Sequence, residues 1–482
     1  MGLLEGLEIS VLNLSDVLAD NANRRIDSEY FRKQFISFFK DVPDLKPLGD
    51  FVKEGYRVVY EKTKIIDKDE AIERDFPYFL QATDLDTPFI KTDNLYHVHQ
   101  EDWERYEKGR INPGEILIEV KGKIDKVAIV PDDFPSKTLV TGSLFKLTVN
   151  DKISKHLLLT YLICKYGVAF KDRFKTNLLI SYVSKPDLYR IPVPNFSQRF
   201  NDKIDFIFNK IFESKRKSKE IYKGAEEILF NQLGLNDFSP STESINIKSF
   251  QNSFKITGRL DAEYYQPQYE DVVNKIVSQS HDKLSSIATI TKSIEPGSKY
   301  YDEIGLPFMR VADFSKNGLT TPNKFLNDYF INENTEKIKE LKPKKGTILF
   351  SKDGSVGNAY HLRNNFNGIT SSAILHLNII DEKRIIPEYL TLVLNSELVQ
   401  MQAERDAGGS IILHWRVSEI QNVVVPIIDY SKQQLIANMI EESFVLSKLS
   451  ERLLEVAKSS VEMSIELGEE KALEFINNSI SL

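Results

Sequence analysis

Arg25-Ile26-Asp27-Ser28-Glu29-Tyr30-Phe31 returns later in the chain as Arg259-Leu260-Asp261-Ala262-Glu263-Tyr264-Tyr265. One such match is weak, but others follow in the same order. Leu80-Gln81-Ala82-Thr83-Asp84-Leu85 returns as Met309-Arg310-Val311-Ala312-Asp313-Phe314, and Gly114-Glu115-Ile116-Leu117 as Gly346-Thr347-Ile348-Leu349. Val183-Ser184 with Ile191-Pro192 returns as Val417-Ser418 with Val425-Pro426. The period is far longer than the ~20–50 residues of a solenoid unit, so the chain contains two copies of a whole domain. The frame persists while the interior loops differ, as expected of two modules that read different things.

Each copy has the same layout. A mixed globular part comes first, about 27–194 and 261–426. Its strand candidates are Gly114–Val120, Lys126–Val130 and Leu144–Val149 in the first copy, and Thr347–Ser351 and Ala373–Ile380 in the second. These are short Ile/Val/Phe-rich runs bounded by Gly, Pro, Asp or Asn. Ser154–Tyr166 and Pro387–Glu404 have helical spacing and open on Ser or Pro. A long helix follows each globular part. In the first, Ile204, Ile207, Ile211, Ser214, Ser218, Ile221, Ala225 and Ile228 alternate steps of three and four, a coiled-coil seam with charged residues outside it. In the second, Met439, Leu446, Leu449, Leu453, Val456 and Met463 keep a similar step. A helix of about 35 residues is ~50 Å long, and Ser214, Ser218 and Ala225 let a partner helix come close, the alternative being that each helix packs on its own domain. The expected fold is therefore α+β. Two similar mixed α/β domains (1–195 and 237–428) are separated by a pair of long antiparallel coiled-coil helices (196–236 and 429–482), an internal pseudo-twofold repeat.

Composition narrows the function. With 63 Lys+Arg against 70 Asp+Glu the chain is acidic, net −7. Any nucleic-acid binding must come from local patches rather than from a polycation. A single cysteine, Cys164, excludes a disulfide framework. Met1-Gly2-Leu3-Leu4-Glu5 lacks a basic, then apolar, export signal, Gly6 breaks the myristoylation pattern, and the apolar run Leu157–Cys164 is too short to span a bilayer. A cytoplasmic protein with no membrane contact is expected.

Catalytic signatures are sparse. His97 and His99 form H-x-H without Cys or carboxylate ligands at metal spacing, which points to structural histidines. Cys164 lies in an apolar helix and reads as a buried, inert thiol. Glu119-Val120-Lys121 resembles half of a metal-dependent nuclease site, with Asp102 or Glu104 as the upstream acid, yet the second copy has Ser351-Lys352-Asp353 there. Gly354-Ser355-Val356-Gly357 reads as a tight turn between strands, with no G-K-[ST] after it. The chain has no Pro-Pro dipeptide, so it lacks the Asn/Asp-Pro-Pro-aromatic loop of an amino-methyltransferase.

Basic and polar clusters stand out instead. Lys165, Lys171, Arg173, Lys175, Lys185 and Arg190 crowd one stretch, and Lys337, Lys339, Lys342, Lys344 and Lys345 run towards Lys352. Such groups can neutralise phosphates. Thr141-Gly142-Ser143 matches Ser371-Ser372-Ala373, and Gln81 matches Arg310. Arg suits guanine and Gln suits adenine, so such an exchange would change the base read.

This layout resembles the specificity subunit of Type I restriction–modification systems. The resemblance rests on the R-[IL]-D-x-E-Y-[FY] motif, the strands Leu80–Leu85 and Met309–Phe314, the run Gly409–His414, and Val423-Val424-Val425-Pro426 before Lys432-Gln433-Gln434. It covers about residues 8–466. The first copy departs from it, with Lys175–Ile180 replacing the Gly-rich run and Ser197-Gln198-Arg199 replacing Lys-Gln-Gln. The resemblance implies two target-recognition domains, each reading half of a bipartite double-stranded DNA target, and spacer helices holding two methyltransferase subunits. This chain would be non-catalytic and hold no cofactor. S-adenosylmethionine for adenine-N6 methylation, and ATP and Mg for the restriction subunits, would sit on the partners. The DNA-binding residues expected are Gln81, Thr83, Lys121, Lys123, Thr141, Ser143, Arg173 and Lys175 in the first domain. In the second they are Arg310, Lys352, Ser355, Ser371, Arg405, Ser410, His414 and Arg416. The alternatives are the specificity component of a system whose partner both cuts and methylates, and a coiled-coil scaffold that binds no DNA.

Overall fold

A computed structural model describes the whole chain except residues 1–8, 10, 19–20, 22, 38–43, 61–62, 67–70, 72–74, 93, 177–178, 237, 244, 410–411 and 481–482. It divides into two units, residues 1–213 with 449–482, and residues 214–448.

In the first unit a four-stranded sheet runs Val52–Tyr56, Leu144–Val149, Ile116–Glu119, Val127–Ile129, all antiparallel. Ile116–Glu119 is buried on both faces. One face meets the helix Lys155–Ile163, and the other meets a smaller core under a second sheet. That sheet runs Thr138–Val140, Tyr78–Leu80, Tyr96–Val98, Ile65–Ile66, its first pair parallel. A two-stranded ribbon, Leu45–Pro47 with Pro192–Pro194, closes the domain before the long helix.

The second unit repeats this order strand for strand. Ala288–Lys292, Ile374–Ile379, Ile348–Ser351 and Ala359–His361 form its main sheet. Leu306–Met309 pairs in parallel with Ile369–Thr370, as Tyr78–Leu80 does with Thr138–Val140. His281–Lys283 pairs with Val424–Pro426. The duplication read in the sequence is thus a duplication of fold, and the turn at Gly354–Gly357 joins two antiparallel strands as expected.

Two expected helices are each broken. Ser154 caps Lys155–Ile163, which ends at Cys164 in extended backbone (ψ 169°), and a new helix runs Lys165–Phe174. Pro387–Asn395 ends likewise at Ser396 (ψ 160°), and Glu397–Asp406 follows. In the first copy the second helix packs back so tightly that a Cβ on Gly167 would lie 2.2 Å from the Tyr161 carbonyl. Cys164 is fully buried at the break, and burial pushes its thiol up to about 12, an inert group.

The long helices span Gln198–Gln232 and Tyr430–Leu467, and Gly468 (φ +90°) separates the latter from a helix at Glu469–Ile480. In the first unit Ile204, Ile207, Phe208 and Ile211 share one core with Leu453, Val456, Ala457 and Val461 and with the globular part. In the second unit Ala225 and Leu229 meet Ile436 and Ile440 in the same way. Ser218 and Ser443 exchange reciprocal bonds, each hydroxyl donating 2.8 Å to the other's carbonyl. The buried positions of the second helix include Ile436, Ile440, Ser443, Ser450, Leu453, Val456, Ala457, Ser460 and Val461, whereas Leu449 is exposed. Of the expected seam, Leu453 and Val456 are buried and Met439 and Met463 pack against the cores, while Leu449 falls outside it and small residues such as Ser443 and Ser450 take the close contact. Among the described residues, no helix is long and apolar enough to cross a membrane.

Candidate nucleic-acid interface

In the second unit, strand-end hydrogen bonds gather most of the expected residues on one edge. Ser371 N–H donates to the Met309 carbonyl (2.8 Å), Lys352 N–H to Ala373 (2.9 Å), and Trp415 N–H to Lys352 (2.8 Å). These bonds set Arg310, Ser371, Lys352, Asp353, His414 and Arg416 around one sheet end. Asp353 accepts from the Lys352 ammonium on one carboxylate oxygen, and its other oxygen lies 2.9 Å from His414 Nδ1. Arg310 is half-buried, and its Nη2 donates to Asn323 at 2.8 Å. Ser355 is exposed in the turn, and the Arg416 side chain is 80% exposed. Ser371 lies inside, its hydroxyl buried without a hydrogen bond. Ser410 lies outside the described residues.

The first unit builds the same edge with other side chains. Thr141 N–H donates to Leu80 (2.9 Å), Val120 N–H to Ser143 (2.9 Å) and Val183 N–H to Val120 (2.9 Å). Gln81 and Arg310 both open one-turn helices in which an Asp side chain, Asp84 or Asp313, accepts their backbone N–H. The Lys121–Tyr182 bridge stands where Asp353–His414 stands. Lys121, Lys123 and Thr83 are exposed, while Gln81, Thr141 and Ser143 are half-buried beside them. Lys126 pins the turn by donating to the Ala82 carbonyl at 3.0 Å. Sequence reasoning missed Arg57, whose Nε donates to the Gly142 carbonyl (2.6 Å) and whose guanidinium lies over the Tyr182 ring. Neither residue belongs to a motif, so the sequence carried no signal for them.

Arg173 and Arg405 take matching places of a different kind. Tyr30 lies between Arg25 (4.9 Å) and Arg173 (4.5 Å), and Tyr264 lies between Arg259 (4.5 Å) and Arg405 (5.2 Å). Arg25 also pairs with Asp27 and donates to the Lys175 carbonyl, and Arg259 pairs with Asp261 and donates to the Asp406 carbonyl. Arg405 is paired with Asp406. These arginines hold the repeated motif against its domain, so the motif is a structural clasp.

The basic stretch of the first copy does not form a patch. Lys165 pairs with Glu466, Lys175 with Asp172 and Arg190 with Asp187, and Lys185 donates to the Gly55 carbonyl. Lys171 is buried facing Asp125 and Glu119, and burial pulls its ammonium down to about 8. In the second copy Lys337, Lys344 and Lys345 are exposed. Lys337 and Lys292 line an open cleft with Tyr300 and Ser372.

Glu119 is buried, and desolvation, with Asp125 beside it, raises its pKa. Among the described residues it belongs to no group of metal-ligating side chains with Asp102 or Glu104, and the nuclease pattern fails on that geometry. His97 Nδ1 bonds the Phe76 carbonyl (2.9 Å) and its ring lies on Tyr78, a structural role.

Comparison with known proteins gives a family model, the Type I restriction modification DNA specificity domain, that matches residues 282–458. No curated protein matches. Among solved structures, the S subunit of a Type I restriction–modification system from M. genitalium is 12% identical, covering 91% of this chain and 96% of that one, with a TM-score of 0.37. The HsdS subunit from Thermoanaerobacter tengcongensis is 13% identical, covering 89% and 98%, with a TM-score of 0.27. The type IIG restriction endonuclease BpuSI is 12% identical over 44% of this chain and 37% of its own, with a TM-score of 0.26.

Proposed function

We propose that this chain is a Type I restriction–modification specificity protein, a reading supported by the family match at residues 282–458, and that it reads a bipartite double-stranded DNA target, one half with each globular domain. The observation that carries this reading is one strand-end edge built twice with different side chains. Gln81 is exchanged for Arg310, Lys121 for Asp353 and Tyr182 for His414, on equivalent backbone bonds. Donors and acceptors differ at matching places, so the two edges select different bases.

Lys121, Lys123 and Thr83 in the first domain, and Ser355, His414 and Arg416 in the second, are the members free enough to reach a groove. Gln81 and Arg310 sit next to them, at the turn that sets their height. Lys337, Lys344 and Lys345 supply phosphate contacts, which fix register rather than sequence. The long helices hold the two readers at fixed phase and dock two methyltransferase subunits. Those subunits carry S-adenosylmethionine and adenine-N6 methylation, and restriction subunits carry ATP and Mg. The chain itself positions the target without chemistry, in the cytoplasm.

The test is methylation mapping by single-molecule sequencing in a host without other modification, expressing this chain with its neighbouring methyltransferase. Two short specific blocks around a fixed nonspecific gap are the expected result. No modified motif, from an assembled complex with a competent methyltransferase, would overturn the reading in favour of a scaffold.

A further inference from the structure

Within the second unit, one joint ties the globular part to the long helix Tyr430–Leu467. His361 ends the strand Ala359–His361, Glu388 lies in the first turn of Pro387–Asn395, and Glu441 faces them from the long helix. One ligand atom from each lies within 4.8 Å of the others. His361 and Glu388 line a cavity of about 60 Å³ beside Tyr222 and Ser443, room for an ion and bound water.

Two side chains there are left incompletely satisfied. His361 is 8% exposed, and its Nδ1 pairs with Glu388 Oε1 at 3.1 Å without well-formed hydrogen-bond geometry, a contact that, against desolvation by burial, holds the Glu388 carboxyl low. The Tyr222 hydroxyl is likewise buried without a hydrogen bond. A buried imidazole nitrogen and a buried hydroxyl without well-formed hydrogen bonds favour an occupant that satisfies both.

The joint also differs between the copies. In the first unit Ile129 stands at the place of His361 and His156 at that of Glu388. There His156 Nδ1 lies 2.8 Å from Asp205 on the long helix, and its ring stacks on Phe208. That joint is a closed pair, whereas the second is an open trio.

We propose that His361 Nδ1, Glu388 and Glu441 bind one zinc ion, with water completing the tetrahedron and facing the Tyr222 hydroxyl. An imidazole with two carboxylates suits zinc, whereas calcium and magnesium favour all-oxygen cages. Arg363 does not block the site. Its Nε (3.0 Å) and Nη2 (2.7 Å) both bond Glu441 Oε1, which leaves Oε2 for the metal and orients the carboxylate. Lys316 is drawn to Glu226 and the Tyr222 ring. The ion would fasten the second reader to its helix, and the inference does not depend on the DNA-reading proposal.

The experiment strips untagged full-length protein with a chelator, restores ZnCl₂ and measures retained metal after gel filtration. One zinc per chain is expected, with an X-ray absorption spectrum showing one imidazole among oxygen neighbours at about 2.0–2.1 Å. His361→Ala and Glu441→Gln should each weaken zinc binding by more than about tenfold. His156→Ala, at the joint of the first unit, should leave it unchanged. No retained zinc, or equal binding by wild type and the His361 and Glu441 variants, would overturn the site and leave an ion-pair network. Should those variants fail to fold, the wild-type spectrum decides: no imidazole, or more than one, excludes this trio.

Discussion

Lys171 carries a charge into the core of the first unit, 1% exposed, with Asp125 and Glu119 as its counter-charges. The second copy has Ala403 and Ser351 at the matching places, and Ser351 satisfies itself by donating to the Ser355 carbonyl. One frame thus holds either a buried ionic pair or a small neutral one. Removing one partner strands the other, at ~3–5 kcal/mol, whereas removing both is far milder. Lys171→Ala and Glu119→Ser are each expected to destabilise strongly in urea unfolding, and the double variant by clearly less than their sum. A pH effect follows. The folded ammonium titrates near 8 against an ordinary 10.5, so the unfolded chain binds more protons between those values. Stability should therefore rise with pH from about 8 to about 10.5, by up to ~3 kcal/mol, and Lys171→Met should abolish that rise. The clasp arginines give a second expectation. Arg25→Ala loses the Asp27 pair, two carbonyl bonds and the contact with Tyr30, and should cost roughly 2–3 kcal/mol. The bond from Arg25 holds the Asp27 carboxyl below its usual range. Its stabilisation is present above the ordinary carboxylate pKa and fades as pH falls through the folded value. In acid titration the gap between wild type and Arg25→Ala should narrow at low pH, to the share held by the carbonyl bonds and the Tyr30 contact.

At the scale of elements, the helix pair depends on what it lacks. Ser218 and Ser443 are buried and mutually bonded, and a Cβ on Gly224 would lie 3.0 Å from Met439 Cε. Ser218→Leu overfills this seam and breaks the reciprocal bonds. It is expected to cost more than the ~1–3 kcal/mol of an ordinary overpacking, with Ser218→Ala well below it in the same thermal melt. The sequence showed the seam of the first helix because Ile204, Ile207 and Ile211 mark it. In the second it marked Leu453 and Val456, which are buried, but also Leu449, which is exposed, and it passed over the buried Ser443, Ser450 and Ser460. Periodicity detects apolar faces, and a close helix contact selects for size. The strands were legible for the opposite reason: Ile116–Glu119 and residues 374–377 are short, mostly apolar runs bounded by turn residues, and they lie fully buried in the sheets. The breaks at Cys164 and Ser396 were not legible, since neither Gly nor Pro marks them. They arise from the return packing of the next helix. The edge residues were half legible. Repeat matching found Gln81 and Arg310, but the counting of basic residues could not tell that Lys165, Lys175 and Arg190 are spent on internal pairs.

For the whole molecule, the acidic balance turns local cations into the measurable quantity. On the proposed reading, a chain of net −7 would bind DNA where exposed ammonium groups meet phosphate, and each such contact releases counterions. The slope of log affinity against log salt therefore counts them, at about −0.9 per phosphate. Lys121 and Lys123 are the exposed pair on the edge of the first domain. If both touch phosphate, Lys121→Gln with Lys123→Gln should flatten the slope by about 1.8 and weaken binding alike for all sequences. If Lys121 instead reads a base, the slope should flatten by only about 0.9 and discrimination should fall in one half-site alone. The other half-site should keep its preference in either case, because its reader lies in a separate unit with its own core. His414→Ala and Arg416→Ala in the second domain supply the mirror measurement. They are expected to relax the other block, by ~1–3 kcal/mol for a contact that reads a base. Losses confined to one block per domain would show two independent readers, and a loss across both blocks from either pair would show a single shared surface.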